Sequence, residues 1–168
     1  MYILDTNVLS ATHYIRPPPT LMAWLASVPS TEIATTAITI AEIQAGIESM
    51  RATGKKGLPE VKKWLYQAVL PVVQVVPFTT EAALIFAKMH ARPQIRHQMQ
   101  PGRQSSRKVL LEADVMIAAV AISMNAVIVT RNVCDFLQVE EHFALPGLYD
   151  PIADVWHVRP RWQEELRF

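Results

Sequence analysis

Four acidic side chains stand where carboxylates could work together. Asp5 directly follows the apolar run Tyr2-Ile3-Leu4, and Asp135 follows a second run, Ala126 to Thr130, by a few residues. If both runs are strands of one parallel sheet, their carboxyl ends bring the two acids close, at the edge where open α/β sheets place their functional crevice. Glu42 lies among Ile38, Ile40, Ala41, Ile43 and Ala45, and Asp114 among Ala113, Val115, Met116, Ile117 and Ala118. A charge in such surroundings is costly to bury without compensation. Each acid also has a plainer reading. Asp5 suits a helix N-cap, Asp135 a surface or capping role, Glu42 a water-facing position beside Gln44 and Glu48, and Asp114 the positive first turn of a helix. Crowded together, four carboxylates would repel one another and raise at least one pKa. A hard divalent cation removes that penalty, acidifies a bound water and neutralises charge on a phosphodiester. The chemistry on offer is metal-assisted hydrolysis, with one or two ions left open.

Other chemistries find little footing. The five histidines are dispersed and form no HExxH pattern, and no CxxC exists to hold zinc. Cys134 is the single cysteine; with no companion histidine motif it reads as a small apolar filler, and it can form no intramolecular disulfide. Neither GxxxxGK[ST] nor GxGxxG occurs, so nucleotide-binding folds of those types are excluded. The net charge of +1 provides no global field for a polyanion, so phosphate affinity must come from local clusters or a bound cation.

The elements that must position these residues follow from pattern. With 168 residues, 51% hydrophobic and 18% charged, the chain fits one globular domain with a real core. Strands are expected at Tyr2 to Leu4, Glu32 to Thr36, Val72 to Phe78 and Ala126 to Thr130. Helices are expected after Asp5, from Thr20 to Val28, Ile38 to Met50, Leu58 to Leu70, Ala82 to His97 and Leu110 to Met124, with a short helical turn from Asn132 to Leu137. Strands alternating with helices imply an α/β fold: a mostly parallel central sheet with helices on both faces. Residues 92–108 turn polar and basic around Pro101-Gly102 and are expected to form a mobile loop. The tail, residues 150–168, is expected to pack on the outside of the same domain. The start of the chain enters a strand-like run with no basic leader, and no apolar stretch is long enough to span a bilayer. Together with the lone cysteine this leads us to expect a cytoplasmic protein without membrane contact.

Taken with their neighbours, the four acids carry a resemblance. Ile3-Leu4-Asp5-Thr6-Asn7-Val8-Leu9, Ile40-Ala41-Glu42-Ile43, Ala113-Asp114-Val115-Met116-Ile117-Ala118-Ala119 and Thr130-Arg131-Asn132 through Asp135-Phe136, in that order, resemble the PIN-domain family. The likeness is greatest to the VapC-type toxin ribonucleases of toxin–antitoxin pairs, and runs from residue 1 to about 149. It implies a three-layer α/β/α sandwich as a nuclease domain over 1–149, with an acidic pocket for Mg²⁺ or Mn²⁺. Asp5, Glu42, Asp114 and Asp135 match the acidic quartet, and Thr6, Asn7, Thr130 and Asn132 match polar positions lining that pocket. Two features depart from a compact member: the long basic segment before Asp114, and Asp150, which we leave outside the site.

The resemblance further implies a metal-dependent endoribonuclease, the toxin of a type II toxin–antitoxin pair. It also implies a small DNA-binding antitoxin as partner, and homodimerisation. RNA is preferred to DNA on the resemblance, not on the residues. Arg92, Arg96, Arg103, Arg107 and Lys108 could hold backbone phosphates near the third acid, or could be merely solvated. Leu21, Trp24 and Leu25 could serve a partner interface or the core. The rival function is a PIN-like binding subunit that acts with an antitoxin on operator DNA. A phosphoryl-accepting receiver would use Asp5 but leaves the setting of Glu42 unexplained.

Overall fold

The computed structural model describes the backbone of residues 1–98 and 106–160, and the side chains of residues 1–95 and 113–160. A six-stranded sheet runs through the centre in the order β3-β2-β1-β4-β5-β6. Its strands are β1 (Tyr2–Leu4), β2 (Ile33–Thr36), β3 (Gln74–Val76), β4 (Val127–Val129), β5 (Leu148–Asp150) and β6 (Val155–Val158). Every pairing is parallel except β5 with β6. From β1 the chain builds outward through β2 and β3, then crosses to β4 on the other side. The order therefore reverses between β1 and β4, which makes their carboxyl ends the switch point of the sheet.

Side chains alternate across the strands and separate two cores. Ile3, Ala34 and Ile128 face a cluster with Ala82, Met89, Ile117, Phe136 and Val139. Leu4, Val127 and Val129 face the other, with Val8, Leu9, Leu21, Ile43, Ile47 and Leu65. The first is covered by α5 (Thr80–His90), α7 (Ser106–Met124) and α8 (Val133–Glu140); the second by α1 (Thr6–Ala11), α2 (Pro19–Ser27), α3 (Ala37–Thr53) and α4 (Leu58–Lys63). This is the expected three-layer α/β/α sandwich with a mostly parallel sheet.

Local signals set several boundaries. Thr36 caps α3 through the Thr39 N–H at 3.0 Å, and Thr79 caps α5 through Ala82 at 3.2 Å. Gly54, at φ +64°, closes α3 in the left-handed region that glycine adopts without strain. The expected helix from Leu58 changes winding at Trp64 and runs as a π-helix to Val69. Pro93 ends the expected long helix early and opens α6 (Pro93–Gln98), because proline favours a first helical turn over an interior one. Thr20 donates its hydroxyl to the Ile152 carbonyl at 2.9 Å. Leu21 is fully buried, and Trp24 packs between the rings of Tyr2 and Tyr149 at centroid distances of 5.4 and 5.6 Å. Core packing thus accounts for both residues.

The two strands that pattern reading did not anticipate are β5 and β6. They continue the sheet beyond β4, so residues 148–158 form its far edge. Gly147 permits this approach: a Cβ there would lie 2.9 Å from Val127 Cγ2. Helix α7 begins at Ser106, inside the stretch expected as a loop. The centre of that expected loop, residues 99–105, lies outside the described residues.

Candidate active site

All eight acidic and polar residues expected at the site converge on the switch point. Asp5 ends β1 and is the N-cap of α1, with its N–H donating to the Val129 carbonyl at 3.0 Å. It is almost wholly buried, at 2% exposure. Its Oδ1 accepts from the Thr6 N–H at 2.6 Å; Oδ2 accepts from Asn7 Nδ2 at 2.6 Å and from the Thr130 hydroxyl at 2.7 Å. The cap reading of Asp5 therefore holds, and the same carboxylate stands at the meeting point of β1 and β4.

A brace of polar side chains fixes the ends of β1 and β4 together. Asn7 Nδ2 also lies 3.1 Å from Thr130 Oγ1, while its Oδ1 accepts from the Arg131 N–H at 3.0 Å. Thr130 Oγ1 accepts from the Asn132 N–H at 2.8 Å. The Thr130 hydroxyl thus spends its single donor on Asp5 and both lone pairs on Asn7 and Asn132. Across the site, the Thr6 hydroxyl donates to Glu42 Oε2 at 2.5 Å. Glu42 projects from the second turn of α3, where Thr39, Ile43 and Ile47 are the buried residues.

Asn132 occupies the N-cap position of α8, yet its side chain does not cap the helix. Its amide instead donates to Asp114 Oδ2 at 2.9 Å and to Asp135 Oδ2 at 2.5 Å. Two hydrogens on one nitrogen hold carboxylates from α7 and α8 beside each other.

The electrostatics carry the signature of like charges held in a partly dry place. Burial pushes the Asp5 carboxyl above its ordinary value, opposed by the bonds from Thr130, Thr6 and Asn7 and reinforced by the charge of Asp135. Burial likewise raises Glu42, with the Thr6 bond opposing and Asp5 reinforcing. Asp114 is pushed up to about 8, by burial first and then by Asp5, Asp135 and Glu42, against the single Asn132 bond. Glu42 is neither the solvated helix residue nor Asp114 the simple first-turn acid that each could have been alone: both feel Asp5.

The fold, the order of the acids and their convergence at the switch point coincide with the match of the PIN-domain family profile to residues 2–140. The chain belongs to the PIN-domain family. It is similar to the VapC ribonuclease Y4jK of Sinorhizobium fredii, 29% identical over 138 residues, which span 81% of this chain and 90% of that protein. It is also similar to toxin FitB of Neisseria gonorrhoeae, 28% identical over 142 residues, or 83% of this chain and 94% of the toxin. Among solved structures, FitAB bound to an IR36 DNA fragment shares a TM-score of 0.68 at 25% identity, covering 96% of this chain and 99% of that one.

In this PIN domain the donors suit a hard cation. They are all carboxylate oxygens, and among the described residues no salt bridge reaches any of the four acids. Asp114 and Asp135 accept on Oδ2, and Glu42 on Oε2, so each has its other oxygen without a described donor. No three His, Cys, Asp or Glu side chains among the described residues already surround one point as a full ligand set. Carboxylate oxygens are the donor type that a hard divalent cation takes.

Of the basic residues expected to hold RNA, Arg92 alone has a described side chain. Arg92 is exposed and its Cζ lies 5.9 Å from the centre of the Phe143 ring, with no described contact to the acids. The side chains of Arg96, Arg107 and Lys108, and all of Arg103, lie outside the described residues. Asp150, left out of the site, accepts from the Ile152 and Ala153 N–H groups at 2.8 and 3.1 Å and shapes the β5–β6 turn. Arg131, between Thr130 and Asn132, has an exposed side chain, and its N–H is held by Asn7 Oδ1.

Proposed function

We propose that this chain is a divalent-metal-dependent endoribonuclease and the toxin of a type II toxin–antitoxin pair. The observation that carries the reading is the setting of Asp114, a nearly buried carboxyl raised to about 8 by burial and by the three other acids. Such repulsion is a poor arrangement for stability alone and a good one for capturing a cation. Similarity to a VapC ribonuclease and to a toxin supports the same reaction class and role.

Asp5, Glu42, Asp114 and Asp135 would hold Mg²⁺ or Mn²⁺, directly or through water. The bound ion supplies an acidified water and offsets charge developing on the phosphodiester. The protein's own residues do the positioning. Thr130, Asn7 and the Thr6 N–H hold both oxygens of the Asp5 carboxylate, the Thr6 hydroxyl aims Glu42, and Asn132 sets Asp114 against Asp135. Single-stranded or looped RNA suits the site, because a crevice at strand ends must be reached by an exposed phosphodiester. A small antitoxin that binds DNA is the partner, a reading supported by the FitAB assembly seen on a DNA fragment. The chain acts as a homodimer in the cytoplasm; no described helix is long and apolar enough to cross a membrane.

The test is to purify the chain with and without the product of its neighbouring small gene and to assay a total-RNA pool with Mg²⁺, Mn²⁺ or chelator. The free protein should cleave only with metal, and the partner should inhibit it. Asp5→Asn and Asp114→Asn should each weaken Mn²⁺ binding in calorimetry and abolish cleavage while the fold persists. A partner-free, metal-loaded protein that cleaves no RNA, yet assembles with its partner on DNA, would replace this reading with that of a binding subunit.

A further inference from the structure

Arg131 lies between two residues whose side chains build the acid cluster, yet its own side chain is exposed. Thr130 turns inward to Asp5, and Asn132 to Asp114 and Asp135. The Arg131 N–H is held by Asn7 Oδ1 at 3.0 Å. Its backbone is therefore part of the brace between β1 and β4, while its side chain reaches solvent.

An arginine whose backbone lies between two residues bonded to the acids could pair with them. Among the described residues the salt bridge present is Arg51 with Glu48, on the later turns of α3, and none joins Arg131 to the acids. Arg131 is consequently not a counterion of the acids, and its donors remain for a ligand arriving from solvent. That ligand must be anionic. A phosphate nearing this cluster meets four carboxylates, and a fixed positive charge at the rim offsets the repulsion. The planar fork of arginine also matches two phosphate oxygens at once, which a lysine cannot do.

We propose that Arg131 is a substrate-binding residue that clamps a non-bridging phosphate oxygen of a single-stranded RNA backbone at the mouth of the acid pocket. The inference rests on the ribonuclease reading and adds the residue that orients its substrate. A contact to phosphate positions the strand without reading its sequence.

The experiment compares wild type, Arg131→Ala and Arg131→Lys. A fluorescein-labelled, mixed-sequence RNA oligonucleotide is titrated with each protein in Ca²⁺ across a salt series, and Mn²⁺ binding is followed by calorimetry. Arg131→Ala should weaken RNA binding about tenfold or more, as expected for a lost charge-assisted hydrogen bond. Its log–log salt slope should fall by about 0.7, the contribution of one neutralised phosphate on a single strand. Arg131→Lys should keep the slope and lose part of the affinity, and Mn²⁺ affinity should be the same in all three. Unchanged RNA affinity and slope in Arg131→Ala overturn the proposal. Tighter Mn²⁺ binding in that variant does so too, since Arg131 would then be a counterion of the acids. If wild type cleaves no RNA while Arg131→Ala still weakens binding, the ribonuclease reading fails and the phosphate contact stands; if wild type binds no RNA, both fail.

Discussion

The hydroxyl of Thr6 donates to Glu42 Oε2 at 2.5 Å, joining the first turn of α1 to the second turn of α3. This bond fixes one carboxylate oxygen of a residue that is otherwise half-buried among apolar neighbours. Thr6→Val keeps the shape of the side chain and removes the donor. We expect cleavage to fall about tenfold or more, as a misaimed carboxylate loses productive geometry. Stability should drop by only about 1 kcal/mol, the net worth of one such bond. Thr6→Ser should restore most activity, and wild-type cleavage in Thr6→Val would show that Glu42 needs no such guide.

Glu42 itself offers a sharper test. Glu42→Gln preserves size and can still accept from Thr6, so the local fold should survive and circular dichroism should be unchanged. What disappears is a negative charge that Asp114 feels. Cleavage in Mn²⁺ should be abolished and Mn²⁺ affinity reduced. A fully active Glu42→Gln would return this residue to the role of a solvated helix acid.

How far the sequence disclosed this site depends on the kind of information each residue needed. Asp5 was legible because a short apolar run, an acid and a capping pattern are all local. The layering was legible for the same reason: the continuous apolar runs of β1 and β4 and the apolar stretches of the helices are written within each element. Strands β5 and β6 were not. Leu148–Asp150 is three residues long, β6 is an exposed antiparallel edge, and both gain their strand character from pairing with residues far away in sequence. The sharing of Asn132 between Asp114 and Asp135 was hidden likewise. Local pattern at an N-cap position predicts a bond to the helix backbone, and tertiary placement of α7 diverted it.

That diversion is open to mutation. Asn132→Ala removes both hydrogens that hold Asp114 and Asp135 together, leaving the two carboxylates free to splay apart. Mn²⁺ affinity should fall about tenfold or more, in the range seen when groups orienting metal ligands are lost. Asn132→Asp should destabilise the metal-free protein further near neutral pH, because it replaces a shared donor with another negative charge. Calorimetry of the first variant and the melting temperature of the second decide it: wild-type values in both would mean that Asn132 merely fills space.

The raised carboxyl of Asp114 makes stability depend on pH in an unusual direction. Its pKa is about 8 in the folded protein against a model-compound value of 3.8. Between those values the folded state retains a proton that the unfolded chain has released. The stability associated with the protonated form is therefore complete below about 3.8 and is lost as pH rises through about 8. Asp5 and Glu42 are raised as well and act with the same sign. Metal-free protein should thus melt at progressively lower temperature from about pH 5 to about pH 9, the window those shifts define. Asp114→Asn cannot titrate there, so its melting curve should be flatter and should lie above wild type at the alkaline end. Mn²⁺ should reverse the trend, because the ion takes the deprotonated carboxylate and its affinity rises as the proton leaves. Differential scanning fluorimetry in chelator and in Mn²⁺ across this window measures both effects. A metal-free melting temperature that climbs with pH, or an Asp114→Asn variant with the wild-type slope, would remove Asp114 from the centre of the charge cluster.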